Sequence, residues 1–239
     1  MTTDNAILTV RDLDVHYGDF HVLRSLSLDI AEQSVVSIMG ANGAGKSTLL
    51  KALAGVLRPT AGAVRFAGRD ISGLAAHDIV SAGISMVPEG ARIFSRLTVL
   101  ENLIIGSYVG RARRERSKVL QKVYELFPVL GERSNQLANS LSGGERQMLA
   151  IGRSLMSRPQ LIFFDETYLG LAPLVVKDIY QRIKQINQEG VTVVLVDQDF
   201  RRSLRNSDFS YILLEGRVVL AGKSRELAEE DVRKAYFGI

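Results

Sequence analysis

Residues 40 to 47 read Gly-Ala-Asn-Gly-Ala-Gly-Lys-Ser, the pattern G-x-x-x-x-G-K-[ST], between an unbroken apolar run, VVSIM at 35 to 39, and the helix-forming stretch KSTLLKALAGVL. An apolar run of that length suits a strand buried on both faces, and glycine lets the chain turn tightly from strand into helix. In that context the pattern is a phosphate site. Successive backbone N–H groups can face an anion without Cβ interference, and the helix N-terminus adds a favourable dipole. Lys46 is expected to reach the terminal phosphates, and Ser47 to ligate Mg²⁺.

Magnesium needs further hard oxygen ligands, and an attacking water needs orienting, so acidic residues are expected at the end of a second buried strand. LIFF at 161 to 164, followed by Asp165 and Glu166, supplies them. Asp165 is assigned to the metal and Glu166 to the water. Between the two sites, Leu141-Ser142-Gly143-Gly144-Glu145 opens the periodic stretch ERQMLAIGRSLMSRP. This is a second anion-binding helix start. One chain needs one cradle per triphosphate, so the second suits a nucleotide held by another copy of the fold.

The remaining pattern is α/β. Leu13, Val15 and Tyr17 alternate with polar residues, and VRF at 64 to 66 is a short strand. Thr98 and Glu101 stand at capping-box spacing and open a helical insertion that runs to about Leu141. After Pro159, strand and helix alternate again: LIFF, a helix from Pro173, VTVVLV, a short helix near Phe200 and the hairpin SYILLEGRVVLAG. Val176, Ile179, Ile183 and Ile186 form the apolar stripe of the helix from Pro173, with Gly190 as its C-terminal cap.

Composition narrows the chemistry. The chain has 239 residues and no cysteine, so thiol catalysis and thiolate metal sites are absent. His16, His21 and His77 are scattered without the i, i+4 spacing of a zinc helix, and are expected to be surface or satisfied residues. No apolar stretch approaches the roughly 18 residues of a spanning helix. The first ten residues, MTTDNAILTV, lack a basic leader region, so the chain is expected to stay in the cytosol. A net charge of +4 is too mild to argue for nucleic acid. The run Arg111, Arg113, Arg114, Arg116 and Lys118 is read as a solvated helix face.

The phosphate loop, the LSGGE segment, the strand ending in Asp-Glu and their order resemble the ATPase subunits of ATP-binding-cassette (ABC) transporters over nearly the whole chain. The resemblance implies a single domain, 1–239. Its fold would be a P-loop NTPase core with an N-terminal antiparallel β subdomain and a helical lobe at about 98–141. ATP is expected on Tyr17, which would stack on adenine, and on Gly40, Ala41, Asn42, Gly43, Ala44, Gly45, Lys46, Ser47 and Thr48. Mg²⁺ is expected on Ser47, Glu89 and Asp165. Lys46, Glu166 and Gln198 are expected to be catalytic, with Leu141 through Glu145 acting on the ATP of the opposite subunit.

Glu89 stands where most of the superfamily has Gln, and Gln198 where most has His. Both departures, with LGLAP at 169 to 173 and the ending AYFG at 235 to 238, resemble the shorter ATPase subunit of branched-chain amino acid importers. The implied partners are a paralogous ATPase subunit or a second copy, two membrane permeases and, indirectly, a periplasmic binding protein, with the chain on the cytoplasmic side of the membrane and no nucleic acid bound. A urea or amide importer ATPase, and a non-transport ATPase acting on nucleic acid or ribosomes, are the alternatives. Thr167 and Tyr168 stand where that branch usually has Pro and Ser, which puts communication between the two ATP sites in question.

Overall fold

The computed structural model describes residues 5–237. Met1 to Asp4 and Gly238, on which the leader and AYFG readings partly rest, lie outside them. The chain opens with two long antiparallel strands, β1 (Ala6–Tyr17) and β2 (Phe20–Ala31). β3 (Val35–Met39) follows, buried at all five positions, and leads through the glycine loop into α1 (Lys46–Leu53). The sequence suggests a helix running to Leu57, but α1 stops at Leu53. Gly55 there takes a φ of +69°, which favours glycine, and a Cβ on it would lie 2.6 Å from the Leu74 carbonyl oxygen.

β4 (Ala61–Phe66) and β5 (Arg69–Asp70) complete an antiparallel sheet in the order β2-β1-β4-β5. Next come α2 (Ala76–Ala82) and β6 (Ile84–Val87), neither expected from the sequence. Four helices then form the excursion: α3 (Val99–Gly106), α4 (Gly110–Arg114), α5 (Arg116–Leu126) and α6 (Pro128–Glu132), with a 3-10 turn at Ala138–Ser140. Its neck is closed by backbone: Val99 N–H donates to the Gln136 carbonyl (2.9 Å) and Ala138 N–H to that of Leu97 (2.9 Å). The capping box expected at Thr98 and Glu101 is formed.

α7 (Gly143–Leu155), β7 (Leu161–Asp165), α8 (Pro173–Gln188), β8 (Thr192–Val196) and α9 (Phe200–Asn206) restore the alternation. The hairpin of β9 (Phe209–Leu214) and β10 (Arg217–Lys223) and a further helix, α10 (Glu229–Phe237), follow. The hairpin turns at Glu215 and Gly216, both with positive φ, the requirement of a two-residue turn matched to strand twist. The second sheet runs β10-β9-β3-β8-β7-β6, with β10 antiparallel to β9 and the other five strands parallel.

Each buried face has its own core. Leu8, Leu13, Leu23, Ile38, Leu49, Phe66 and Val196 pack α1 and the antiparallel sheet against one face of the parallel sheet. Leu103, Val123, Leu130, Leu141, Leu149, Phe164, Ile179 and Leu195 pack the helical excursion, α7 and α8 against the other. Alternate residues of β7 and β8 divide between these cores, as buried parallel strands require.

Two surface expectations need correction. The basic run is not one helix face: Glu115 breaks it into α4 and α5. Arg111 turns inward to the Ser81 carbonyl (2.7 Å), and Arg116 donates to the Ser107 hydroxyl (2.8 Å), so only Arg113, Arg114 and Lys118 stay exposed. The histidines are surface or satisfied as expected, with His77 exposed, His16 on Thr60 and His21 on Asp14, but His16 and His21 are not isolated from each other. Antiparallel pairing of β1 and β2 places His16 against His21, and their rings stack at 4.0 Å.

Candidate nucleotide site

Four neighbouring parallel strands, in the order β3-β8-β7-β6, deliver the candidate residues from their C-terminal ends. β3 ends at Met39 before the loop, β7 at Asp165, β8 at Val196 before Gln198, and β6 at Val87 before Glu89. Such an edge collects ligands because the loops leave it in different directions and the next helices point their N-termini at it.

The loop is built for a close anion. Gly45 caps α1 with a φ of +103° and no side-chain hydrogen bond, leaving the first amides of the helix uncapped by any side chain. A Cβ on Gly45 would press the Leu23 side chain at 2.7 Å, and the positive φ strains any other residue there. The hairpin turn braces the loop from below, with Gly216 N–H donating to the Ala44 carbonyl at 3.1 Å. Sequence reasoning missed this brace, whose signal was the Glu-Gly pair between two apolar runs.

Lys46 is 4% exposed and folds back on its loop, donating to the carbonyls of Gly40 (2.8 Å) and Ala41 (3.1 Å). Its ammonium also lies 3.6 Å from Glu166 Oε1, and Glu166 Oε2 accepts from the Gln198 amide at 2.6 Å. The Ser47 hydroxyl donates to Asp165 Oδ1 at 3.0 Å. Burial holds the Asp165 carboxyl above its ordinary range, against the Ser47 hydrogen bond, and the charges of Glu166 and Glu89 add to the rise. Lys46, Ser47, Asp165, Glu166 and Gln198 thus form one connected cluster, with Glu89 exposed at its edge. Glu166 has a φ of +45°, a strained conformation for a non-glycine residue.

The residues fit a divalent cation in part. A seryl hydroxyl and a buried, destabilised carboxylate are hard oxygen donors. Among the described residues no group of three or more His, Cys, Asp or Glu could hold a metal ion by itself. Tyr17 is 47% exposed at the end of β1, which excludes a core role and leaves its ring available for stacking.

The Leu141–Glu145 segment lies on the other face of the parallel sheet from α1 and its loop. Leu141 belongs to the second core, whereas Ala44 and Leu49 belong to the first. Ser142 caps α7 in a reciprocal box: its N–H donates to Glu145 Oε2 (2.8 Å) and its hydroxyl accepts from Glu145 N–H (3.4 Å). Although burial raises it, the Glu145 carboxyl stays low because the Ser142 groups and Arg133 favour its charge. Ser142 and Gly143 are exposed, while a Cβ on Gly144 would press within 2.7 Å of Val175 in α8.

Thr167 and Tyr168 do not face outward. Both are buried, with hydroxyls that make no hydrogen bond, and Tyr168 stacks on Tyr180 of α8. Asp197 accepts from Tyr180 and from Arg202 of α9, and the Tyr236 hydroxyl of α10 donates to the Gln198 carbonyl (3.3 Å). None of these supports was foreseen, although an acid directly after VTVVLV was a visible signal.

Comparison with known proteins gives this arrangement a lineage. Residues 23–168 match the ABC transporter family. The chain is 42% identical over 97% of its length, and all of the relative's, to the high-affinity branched-chain amino acid transport ATP-binding protein BraG of Pseudomonas aeruginosa. It is 32% identical, over 98% of both chains, to the lipopolysaccharide export system ATP-binding protein LptB of Haemophilus influenzae. A solved dimeric ATP-binding cassette in a post-hydrolysis state, bound to ADP and Pi, superposes with a TM-score of 0.76 at 29% identity, covering 92% of this chain and all of that one. The chain belongs to the ABC transporter family, as one of its ATP-binding cassettes.

Proposed function

We propose that the chain, working as one domain over 1–239 with the helical lobe at 98–141, hydrolyses MgATP to power an importer of branched-chain or other neutral amino acids. The observation that carries the reading is the Lys46–Glu166–Gln198 cluster beside the Ser47–Asp165 pair. The 42% identity to a branched-chain amino acid transport subunit favours this substrate class over lipopolysaccharide export, where identity is 32%.

Residues 40 to 48 hold the phosphates through backbone N–H groups, and Tyr17 stacks on adenine. Lys46 exchanges its two loop carbonyls for the phosphate oxygens, which releases Glu166 from its ammonium. Ser47, Asp165 and, at longer range, Glu89 serve Mg²⁺, which when bound neutralises charge developing on the phosphates. Glu166 accepts a proton from the attacking water as its oxygen bonds to the γ-phosphorus. The bond from γ-phosphorus to the bridging oxygen breaks, and its electron pair leaves with ADP. Gln198 holds Glu166 Oε2 so that the other oxygen faces the water.

Leu141 through Glu145 serve the ATP of the opposite subunit, which is either a paralogue or a second copy arranged head to tail. Their separation from the phosphate loop within one chain supports this. Among the described residues no helix is long and apolar enough to cross a membrane, so the proposed transport path belongs to two permease subunits, fed by a periplasmic binding protein. The chain works on their cytoplasmic side. The test is ATP turnover of purified protein beside its Glu166→Gln variant. A variant that binds ATP but turns over at least about 10²-fold slower supports the assignment, and parental turnover refutes it.

A further inference from the structure

Glu166 and Gln198 leave the ends of adjacent strands, and the last backbone bond between those ends runs from Glu166 N–H to the Val196 carbonyl (3.0 Å). Beyond it only side chains tie the two segments together. Asp197, 4% exposed, accepts from Arg202 Nε and Arg202 Nη2 (2.8 Å each) and from the Tyr180 hydroxyl (2.8 Å). Tyr168 stacks on Tyr180 with ring centroids 4.5 Å apart and planes 22° from parallel. The Arg202 guanidinium carbon lies 5.6 Å from the Tyr168 ring centroid. The residue two places after Glu166 is therefore packed into the cluster that holds the residue one place before Gln198.

We propose that Tyr168 is a positioning residue for ATP hydrolysis, clamping the Glu166 segment to the Gln198 segment through Tyr180, Arg202 and Asp197. The proposal rests on the roles proposed above for Glu166 and Gln198. Its physical need is visible in Glu166, whose left-handed backbone is held only if its surroundings over-determine it. A single hydrogen bond joins Gln198 to Glu166, so movement of either segment misaims the carboxylate. The ring does the clamping: it carries the stack on Tyr180 and the Arg202 contact, whereas the Tyr168 hydroxyl lies close to Thr167 and Tyr180 without a hydrogen bond of normal geometry. A serine at 168 would leave the Tyr180 face and the Arg202 guanidinium without their stack.

The test is a double-mutant cycle on the full chain, reading ATP turnover and ATP affinity separately. Tyr168→Phe should stay within about twofold of the parent, and Tyr168→Ser should lose about tenfold or more in kcat at unchanged ATP affinity. In a Gln198→Ala background the Tyr168→Ser change should cost little more, because the residue it aims is already gone. Losses that multiply, or a Phe variant as slow as Ser, overturn the proposal. Parental turnover in Tyr168→Ser beside a slow Gln198→Ala overturns it alone, whereas parental turnover in Gln198→Ala removes the reading of Gln198 and the proposal with it. Should Tyr168→Ser fail to fold, Tyr180→Phe, which cuts only the bond to Asp197, enters the same cycle with the same non-additive result expected.

Discussion

The chain contains two glycine-rich helix starts that differ in what they leave unsatisfied. The start of α1 has no side-chain cap, a left-handed glycine at its mouth and a lysine folded across it. The start of α7 is closed on itself by the Ser142–Glu145 box and offers solvent only an exposed Ser142 and Gly143. An uncapped helix mouth backed by a cation can take up an anion within its own chain. A capped one is complete alone, and suits a preformed surface that meets a ligand already held elsewhere. The two starts also sit in different cores, on opposite faces of the parallel sheet.

The most severe way to break this contrast is Lys46→Ala. It should abolish the ATP-induced rise in Tm, which at a hundredfold excess over Kd corresponds to about 2.7 kcal/mol. An undiminished shift in a thermal melt would place the phosphates somewhere other than α1. Next, Ser142→Ala should leave ATP binding to dilute monomer intact while costing about 1 kcal/mol of stability from the lost cap. Denaturant unfolding measures the second effect, and loss of monomer binding would mean that the α7 start serves its own chain.

A milder effect concerns Asp165. Its folded-state carboxyl titrates above the unfolded one, so the folded protein holds the proton to higher pH. Stability is then lost as pH rises from the unfolded value through the raised folded value, and stays lost above it. Asp165→Asn should therefore raise the Tm of metal-free, nucleotide-free protein at neutral pH, and the gain should vanish in acid below both values. A Tm gain independent of pH would contradict the cause. Smallest of all, Thr167→Val removes a buried hydroxyl that makes no hydrogen bond and should hold or raise Tm, by up to about 1 kcal/mol, in calorimetry. A clear loss would show that this hydroxyl is paired.

The glycine loop leading into α1, the Asp165–Glu166 pair at the end of β7 and the glycine-rich start of α7 were legible as elements because each joins a local pattern to a local geometry, whereas the Ser142–Glu145 cap was not read. β3 and β8 were legible as unbroken apolar runs, and α8 through its stripe from Val176 to Ile186. What escaped depends on distance. β6 is four residues long, and α2 buries only Ile79, so neither carries a periodic signal. The pairing of His16 with His21 needs strand register, and the Tyr168–Tyr180–Arg202–Asp197 cluster joins three segments that only the sheet order brings together. Position matters for placing a charge on the α7 start. Gly144→Asp would collide with Val175 inside its own chain, whereas Ser142→Asp keeps a favoured capping residue and places a negative charge on the exposed face.

That variant gives the most direct test of the division of labour between the two helix starts. Lys46→Ala and Ser142→Asp chains, both also carrying Glu166→Gln to prevent turnover, are mixed with MgATP and sized, and bound nucleotide is counted. Neither should dimerise alone. In a two-fold mixed dimer one site carries both defects and the other has an intact Lys46 facing an intact Ser142. The account expects ATP-dependent mixed dimers retaining one ATP each. Mixtures that stay monomeric and hold no ATP would show that Ser142 and Lys46 serve the same chain's nucleotide, and would contradict it.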